Sequence, residues 1–300
     1  MSKMSKKTFR IVAVSVCAFI LVVVLAINIA VGIFSGSLDK FIVGYKEGSN
    51  SSAARAEGAA LAEQIQEEGT VLVKNENDSL PLSKTDDLKL NVFGWAVTDW
   101  VISGSGSGQV KRGGSVDFLT ALEEYGEENN LAIEYNTELI DYYRDFRNKR
   151  ERSIAGSHAG SETEGNPGGS GSLHSFNYEF SRLYEPEMED YSQSLLDNAE
   201  GFSETAIVVI GRVSGESNDS PKVQYKNCSG TGMPDEQYID KTRTYLEIST
   251  EEEALLEYVG ENYDNVVVLI NSTNVMELGF MDTIPGLDSC LVVATTGSAG

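Results

Sequence analysis

Residues 206–219 read AIVVIGRVSGESND. An apolar, β-branched run from Ala206 to Ile210 ends in Gly211 and gives way at once to a polar loop. That pattern is a strand followed by its carboxyl-end loop. In open α/β sheets ligands bind just past the carboxyl ends of strands. Glu216 stands in that loop, where a carboxylate can do acid–base work. A solvated loop glutamate is the plainer reading, but Gly215 would let a substrate come close, and Arg212 and Asp219 flank the position.

Outward from this stretch a β–α rhythm repeats. Strands are predicted at 90–94, 131–135, 205–211, 265–270 and 289–294. Helices are predicted at about 53–68, 116–125, 137–150, 186–199 and 250–261, the last with Ser249 or Thr250 as its cap. Val71-Leu72-Val73 begins a short strand or extended piece that runs on to Leu80-Pro81-Leu82. Strands alternating with helices predict an α/β fold with a mostly parallel, doubly wound sheet. Residues 153–175, SIAGSHAGSETEGNPGGSGSLHS, break the rhythm, and their Gly/Ser content predicts a flexible insertion within one domain spanning 53–300. A strand ending at Ala294 should feed a further helix, so the domain is expected to be incomplete at Gly300.

The N-terminal segment bears on the compartment. Ile11 to Phe34 is apolar except for Ser15, Cys17 and Asn28. At about 1.5 Å per residue it spans a hydrocarbon core of roughly 30 Å. Lys3, Lys6, Lys7 and Arg10 precede it, forming a basic tail over 1–10, which places the N-terminus in the cytoplasm and the main domain outside. A cleaved signal peptide is the rival reading, but its apolar region is normally about 7–15 residues. The expectation is a single-pass signal anchor over 11–34 in the cell membrane, followed by a stalk over 35–52. A net charge of −23 on 300 residues argues against a nucleic-acid partner. Cys228 and Cys290 could pair outside the cell or remain two thiols. His158 and His174 both lie in the Gly/Ser-rich stretch, and no cluster of Cys and His suggests a metal. Five N-x-S/T sequences begin at Asn50, Asn77, Asn218, Asn227 and Asn271.

Two further segments compete with Glu216 for a functional role. GSGSG at 104–108 could cradle a phosphate, but it lacks GxGxxG spacing and a following GK[ST], and residues 95–103 separate it from its strand. A loop that approaches a ligand through its backbone, or a plain surface loop, fits it better. Thr98-Asp99-Trp100 sets a carboxylate beside an aromatic ring, as sugar sites do, although an ordinary loop aspartate reads the same.

Four stretches, in order, resemble the C-terminal α/β-sandwich domain of glycoside hydrolase family 3, the β-glucosidase/β-xylosidase family. AEQIQEEGTVLVKNENDSLPL at 62–82 is similar to the family's entry segment into that domain. Val92-Phe93-Gly94 followed by the GSGSG loop resembles its VFG…GSG segment. Arg212-Val213-Ser214-Gly215-Glu216-Ser217-Asn218-Asp219 looks like its R-x-SGEG-x-D motif. Residues 245–271, from Tyr245 to Asn271, are similar to its helix–strand unit. The resemblance covers about residues 56–300 and implies hydrolysis of β-glucosides or related β-glycosides with retention. It implies that Glu216 is the catalytic acid/base, with Arg212, Asp219, Ser105 and Ser107 contacting the sugar. No cofactor is implied. The family nucleophile is an Asp on a separate barrel domain, and none is recognisable in these residues. Asp99 in TDW is similar to the nucleophile's SDW context but lies inside the VFG…GSG segment. The membrane segment directly before this domain resembles rearranged members in which the barrel follows, so a barrel is expected beyond Gly300. Ser217 stands where the family often has Gly, and Ser220 where a basic residue often follows the Asp. A non-catalytic, membrane-anchored carbohydrate-binding or scaffold domain is the alternative.

Overall fold

The computed structural model describes residues 5–42, 51–82, 87–104, 116–148, 185–214, 222–225 and 239–297. Two compact units divide the chain, residues 1–58 and 59–300.

The first unit holds helix α1, Lys6–Ile42. Within it Lys6–Phe34 is long and apolar enough to cross a membrane, a test that a signal sequence near the N-terminus also meets. The helix continues to Ile42, through part of the segment expected to be a stalk. Helix α2, Ser51–Gly69, begins in this unit and ends in the second.

The second unit is built on a six-stranded sheet. Its strands are β1 (Val71–Asn75), β2 (Asp87–Phe93), β3 (Ala132–Tyr135), β4 (Thr205–Arg212), β7 (Asn265–Ser272) and β8 (Ser289–Val292). A separate antiparallel pair, β5 (Gln224–Tyr225) and β6 (Ile239–Asp240), lies between β4 and β7 in the chain. The sheet order is β1-β8-β7-β4-β2-β3. Every neighbouring pair is parallel except β1 with β8, which is antiparallel and carries a register shift between Leu72 and Lys74. The α/β fold with a mostly parallel sheet is therefore present.

The central strands explain why it forms. β4 and β7 pair along eight residues, from Thr205 with Asn265 to Arg212 with Ser272. In each strand every residue after the first is buried. A strand covered on both faces needs a near-continuous apolar run, and AIVVI and VVVLI supply it. Each such side chain contributes about 1.5–3 kcal/mol when fully buried.

Helices α3 (Phe118–Asn129), α4 (Thr137–Asn148), α5 (Gln193–Phe202), α6 (Thr250–Asn262) and the short α7 (Phe280–Thr283) complete the unit. Leu139, Ile140 and Tyr143 of α4, Leu195, Leu196 and Ala199 of α5, and Leu255, Leu256 and Val259 of α6 join the sheet in one core. The caps set the boundaries. Asp117 accepts the Thr120 N–H at 2.9 Å, so α3 starts at Phe118 rather than 116, and left-handed Asn130 ends it beyond the expected 125. Of the two residues expected to cap α6, Ser249 does so, in a reciprocal box with Glu252. The helix expected from Pro186 is a correction: Met188–Asp190 forms only a 3-10 turn, and α5 begins after Ser192, whose hydroxyl accepts the Leu195 N–H.

Strand order locates the functional edge. From β2 the chain moves outward to β3, then crosses back to the other side of β2 for β4 and continues to β7 and β8. The reversal lies between β2 and β4. Such a switch point opens a crevice at the strands' carboxyl ends.

Candidate active site

Four loops leave the carboxyl ends of β2, β4, β7 and β8, and they are tied into one rim. After β2 the chain turns through the 3-10 segment Trp95–Val97 and runs to Gly104. This loop is not a loose surface element, because Trp95, Ala96, Val97, Trp100, Val101 and Ile102 are all buried. Asp99, the acid of the TDW sequence, is buried in the same turn.

Asn271, near the end of β7, is fully buried and holds the loop in place. Its Oδ1 accepts the Val101 N–H at 2.6 Å, and its Nδ2 donates to the carbonyls of Val101 at 2.9 Å and Ala294 at 2.7 Å. One side chain thus joins the loops after β2, β7 and β8. The Gly297 N–H adds a bond to the Ile102 carbonyl at 2.8 Å. The same contacts leave the Asn271 amide without a free hydrogen, so this N-x-T sequence is not an accessible glycan acceptor.

The loop after β4 joins the rim through Thr273, whose N–H donates to the Arg212 carbonyl at 3.0 Å. Its hydroxyl accepts the Ser214 N–H at 2.5 Å and lies 3.1 Å from the Ser214 hydroxyl. Gly104, first residue of the GSGSG sequence, lies against this segment. A Cβ at Gly104 would sit 2.7 Å from the Ser214 carbonyl oxygen, so only glycine permits the approach. Gly104 and Ser214, one from each of two segments singled out from sequence, therefore meet at the switch point.

Glu216, Asp219, Ser105, Ser107, His158, His174 and Cys228 lie outside the described residues. Cys290 is a free, buried thiol on β8, pushed up to about 11 by burial.

Arg212 requires a correction. It was expected to touch the sugar, yet it is buried and all five of its N–H groups donate to protein. Nε reaches the Tyr245 carbonyl at 3.4 Å. One terminal nitrogen bonds the Gly211 carbonyl at 2.9 Å and Glu252 Oε1 at 2.5 Å. The other bonds the Glu247 carbonyl at 3.1 Å and Glu252 Oε2 at 2.5 Å. A guanidinium has five donors and no acceptor, so no N–H remains for a hydroxyl of a ligand. Burial pulls its pKa down, and the Glu252 carboxylate more than offsets this, so the group stands above its usual value. Glu252 also accepts the Ser249 N–H at 2.8 Å. The pair thus fastens the end of β4 to the start of α6.

A second buried carboxyl had no signal in the sequence. Glu185 is 1% exposed. Its Oε2 accepts the Trp95 N–H at 3.0 Å, and its Oε1 accepts the hydroxyls of Tyr143 at 2.9 Å and Tyr191 at 2.7 Å. The two hydroxyls are 2.6 Å apart. Burial raises the carboxyl and the three hydrogen bonds lower it, leaving it at about 7. Its contacts come from α4, from the segment before α5 and from the loop after β2, so no local sequence pattern announces them.

With this geometry in place, likeness to known proteins becomes informative. Residues 70–300 match the family description "Glycosyl hydrolase family 3 C-terminal domain". The chain is 28% identical over 225 residues to a beta-glucosidase of Ruminococcus albus, which covers 74% of this chain and 18% of that protein. It is 24% identical over 239 residues to beta-glucosidase A of Butyrivibrio fibrisolvens, covering 78% of this chain and 25% of that one. Among solved structures, a beta-glucosidase from Paenibacillus barengoltzii superposes with a TM-score of 0.55 at 24% identity, over 80% of this chain and 22% of that one. Beta-glucosidase 3B from Thermotoga neapolitana, solved with glucose, gives 0.52 at 23% identity, over 81% and 28%. The fold is shared with both. The chain spans about a quarter or less of the length of the curated relatives it matches.

Proposed function

The chain belongs to glycosyl hydrolase family 3 through its C-terminal domain, and on that premise we propose that it supplies the acid/base half of a retaining β-glycosidase. The substrate class is β-glucosides or related β-glycosides. The observation that carries this reading is the contact of Gly104 with Ser214 at the switch point. It brings Gly104, the first residue of the Gly/Ser sequence, beside the strand end that leads, two residues on, to Glu216.

Retaining hydrolysis uses two carboxyl groups about 5–5.5 Å apart. Glu216 is assigned the proton-transfer role. As an acid it protonates the leaving oxygen while an aspartate attacks the anomeric carbon and forms a glycosyl ester. As a base it then takes a proton from the water that hydrolyses that ester. The aspartate is assigned to a barrel domain outside these residues. Ser105, Ser107 and Asp219 are proposed to contact the sugar, and Arg212 to hold the Glu216 loop in register through Glu252. Residues 11–34 are proposed to anchor the protein in the cell membrane with this domain outside, which suits an enzyme that meets its glycosides extracellularly.

The test is turnover of an aryl β-glucoside by the chain alone, by the chain joined to a barrel-bearing polypeptide, and by the joined form carrying Glu216→Gln. The expected result is no turnover alone, turnover when joined, and a loss of about 10²–10⁴-fold on substitution, the usual worth of a general acid/base. Undiminished turnover with Gln at 216 removes Glu216 from the mechanism. Sugar binding by the joined form without turnover favours the scaffold alternative.

A further inference from the structure

We propose that Glu185 is a positioning residue, whose carboxyl and the Tyr143 and Tyr191 hydroxyls form a proton-holding clasp that sets the loop after β2 against the end of β4. The clasp grips the Trp95 N–H. Trp95 in turn lies on Gly211, where a Cβ would come within 2.7 Å of its ring. Gly211 directly precedes Arg212, so the line of contact runs from Glu185 through the Trp95 indole to the strand end that carries the Glu216 loop. The inference rests on the proposed function only for what that loop serves.

The cluster has the composition of a proton switch rather than of a plain structural bond. Three oxygens, Glu185 Oε1 and the two hydroxyls, stand within 2.9 Å of one another. An ionised carboxylate leaves two hydroxyl protons for three close oxygen pairs. A protonated one supplies the third. Among the described residues the hydrogen-bond partners of Glu185 are these two hydroxyls and one backbone N–H, all uncharged at neutral pH. At longer range the charge of Glu252 of α6, itself paired with Arg212, raises the carboxyl further. The proton is therefore gained or lost near neutrality, inside the core, beside the indole that covers Gly211.

Trp95 and Trp100 are the two tryptophans of the chain, and both lie in the loop held by the clasp. Intrinsic fluorescence of the full chain in detergent micelles therefore reads the loop without any need for turnover. The expected result is a single-proton change in tryptophan emission with its midpoint near pH 7. Glu185→Gln should abolish it, and Glu189→Gln, at an exposed position nearby, should leave it in place. Tyr191→Phe removes a hydrogen bond that favours the ionised carboxyl, so the midpoint should move upward. Circular dichroism reports whether each variant folds. Absence of the transition in the wild-type chain, or an unchanged transition in folded Glu185→Gln, overturns the proposal. If Glu185→Gln does not fold, an unmoved midpoint in Tyr191→Phe overturns it. An aryl glucoside assay of the joined enzyme is the separate arm: failure there removes the glycosidase reading and leaves the titration standing.

Discussion

Two buried carboxyls hold the rim of this domain, and they do so by opposite means. Glu252 is gripped by a guanidinium that makes two charged hydrogen bonds to it. Glu185 is gripped by two phenols and an amide. Burial opposes the charged form in both places. At Glu252 the positive partner answers that opposition with charge. At Glu185 only neutral donors answer it, and the carboxyl settles at about 7. The first anchor is an ion pair, and the second holds its carboxyl through uncharged donors alone. The difference shows that one rim can be fastened either by an ion pair or by uncharged hydrogen-bond donors.

The largest way to break this comparison is to remove the cation. Arg212→Ala leaves Glu252 buried without its counter-charge, and urea unfolding should show a loss of about 3–5 kcal/mol. Replacing both partners, Arg212→Met with Glu252→Leu, should recover most of it, because the cost lies in the orphaned charge. Asn271→Ala comes next. It strands the Val101 N–H and removes the donors to Val101 and Ala294, so the expected loss is about 1–3 kcal/mol. That loss should be the same at pH 5 and pH 8, since no titratable group is involved.

Glu185→Gln sharpens the contrast through pH. The folded carboxyl stands at about 7 against an ordinary 4.5. Between those values the folded chain holds a proton that the unfolded chain has released. The group's contribution is therefore present at and below about pH 4.5 and is lost as pH rises to about 7. Its slope is at most about 1.4 kcal/mol per pH unit. Melting curves at several pH values should lose that slope in the Gln variant and keep it in Arg212→Ala. The smallest effect is expected at Arg243, whose pair with Glu253 is partly exposed. Arg243→Ala should cost less than about 1 kcal/mol, and added salt should shrink the difference.

The strands were legible because their burial is written in their residues. Ala206–Ile210 and Val266–Ile270 are covered on both faces, and only a continuous apolar run satisfies that. Helix starts were less legible. Pro186 suits a first helical turn, but the Ser192 hydroxyl takes the Leu195 N–H and fixes α5 there. Such a choice between nearby caps turns on tertiary packing. Arg212 was legible as a charge beside the site and not as a positioning group, because Glu252 and the carbonyls of Tyr245 and Glu247 reach it only in the fold. Glu185 was silent for the same reason. Gly104 was read as part of a loop whose backbone approaches a ligand, and in the fold its own close neighbour is the Ser214 backbone.

The antiparallel pairing of β1 with β8 has a consequence for how the chain acquires its structure. Val71 is in register with Val292, whereas Thr205 of β4 pairs with Asn265 of β7. Closing the longer loop costs more chain entropy, and distant pairings are slow to form. β1 leaves the ribosome early yet must wait for β8, the strand it pairs with, which is made more than 200 residues later. Until then Val71, Leu72 and Val73, which stay half exposed even in the finished sheet, have no strand to rest on. For β1 the order of synthesis and the order of folding are therefore expected to run opposite ways. Hydrogen-exchange labelling during refolding should show amide protection at Ile207–Ile210 before it appears at Val71–Asn75.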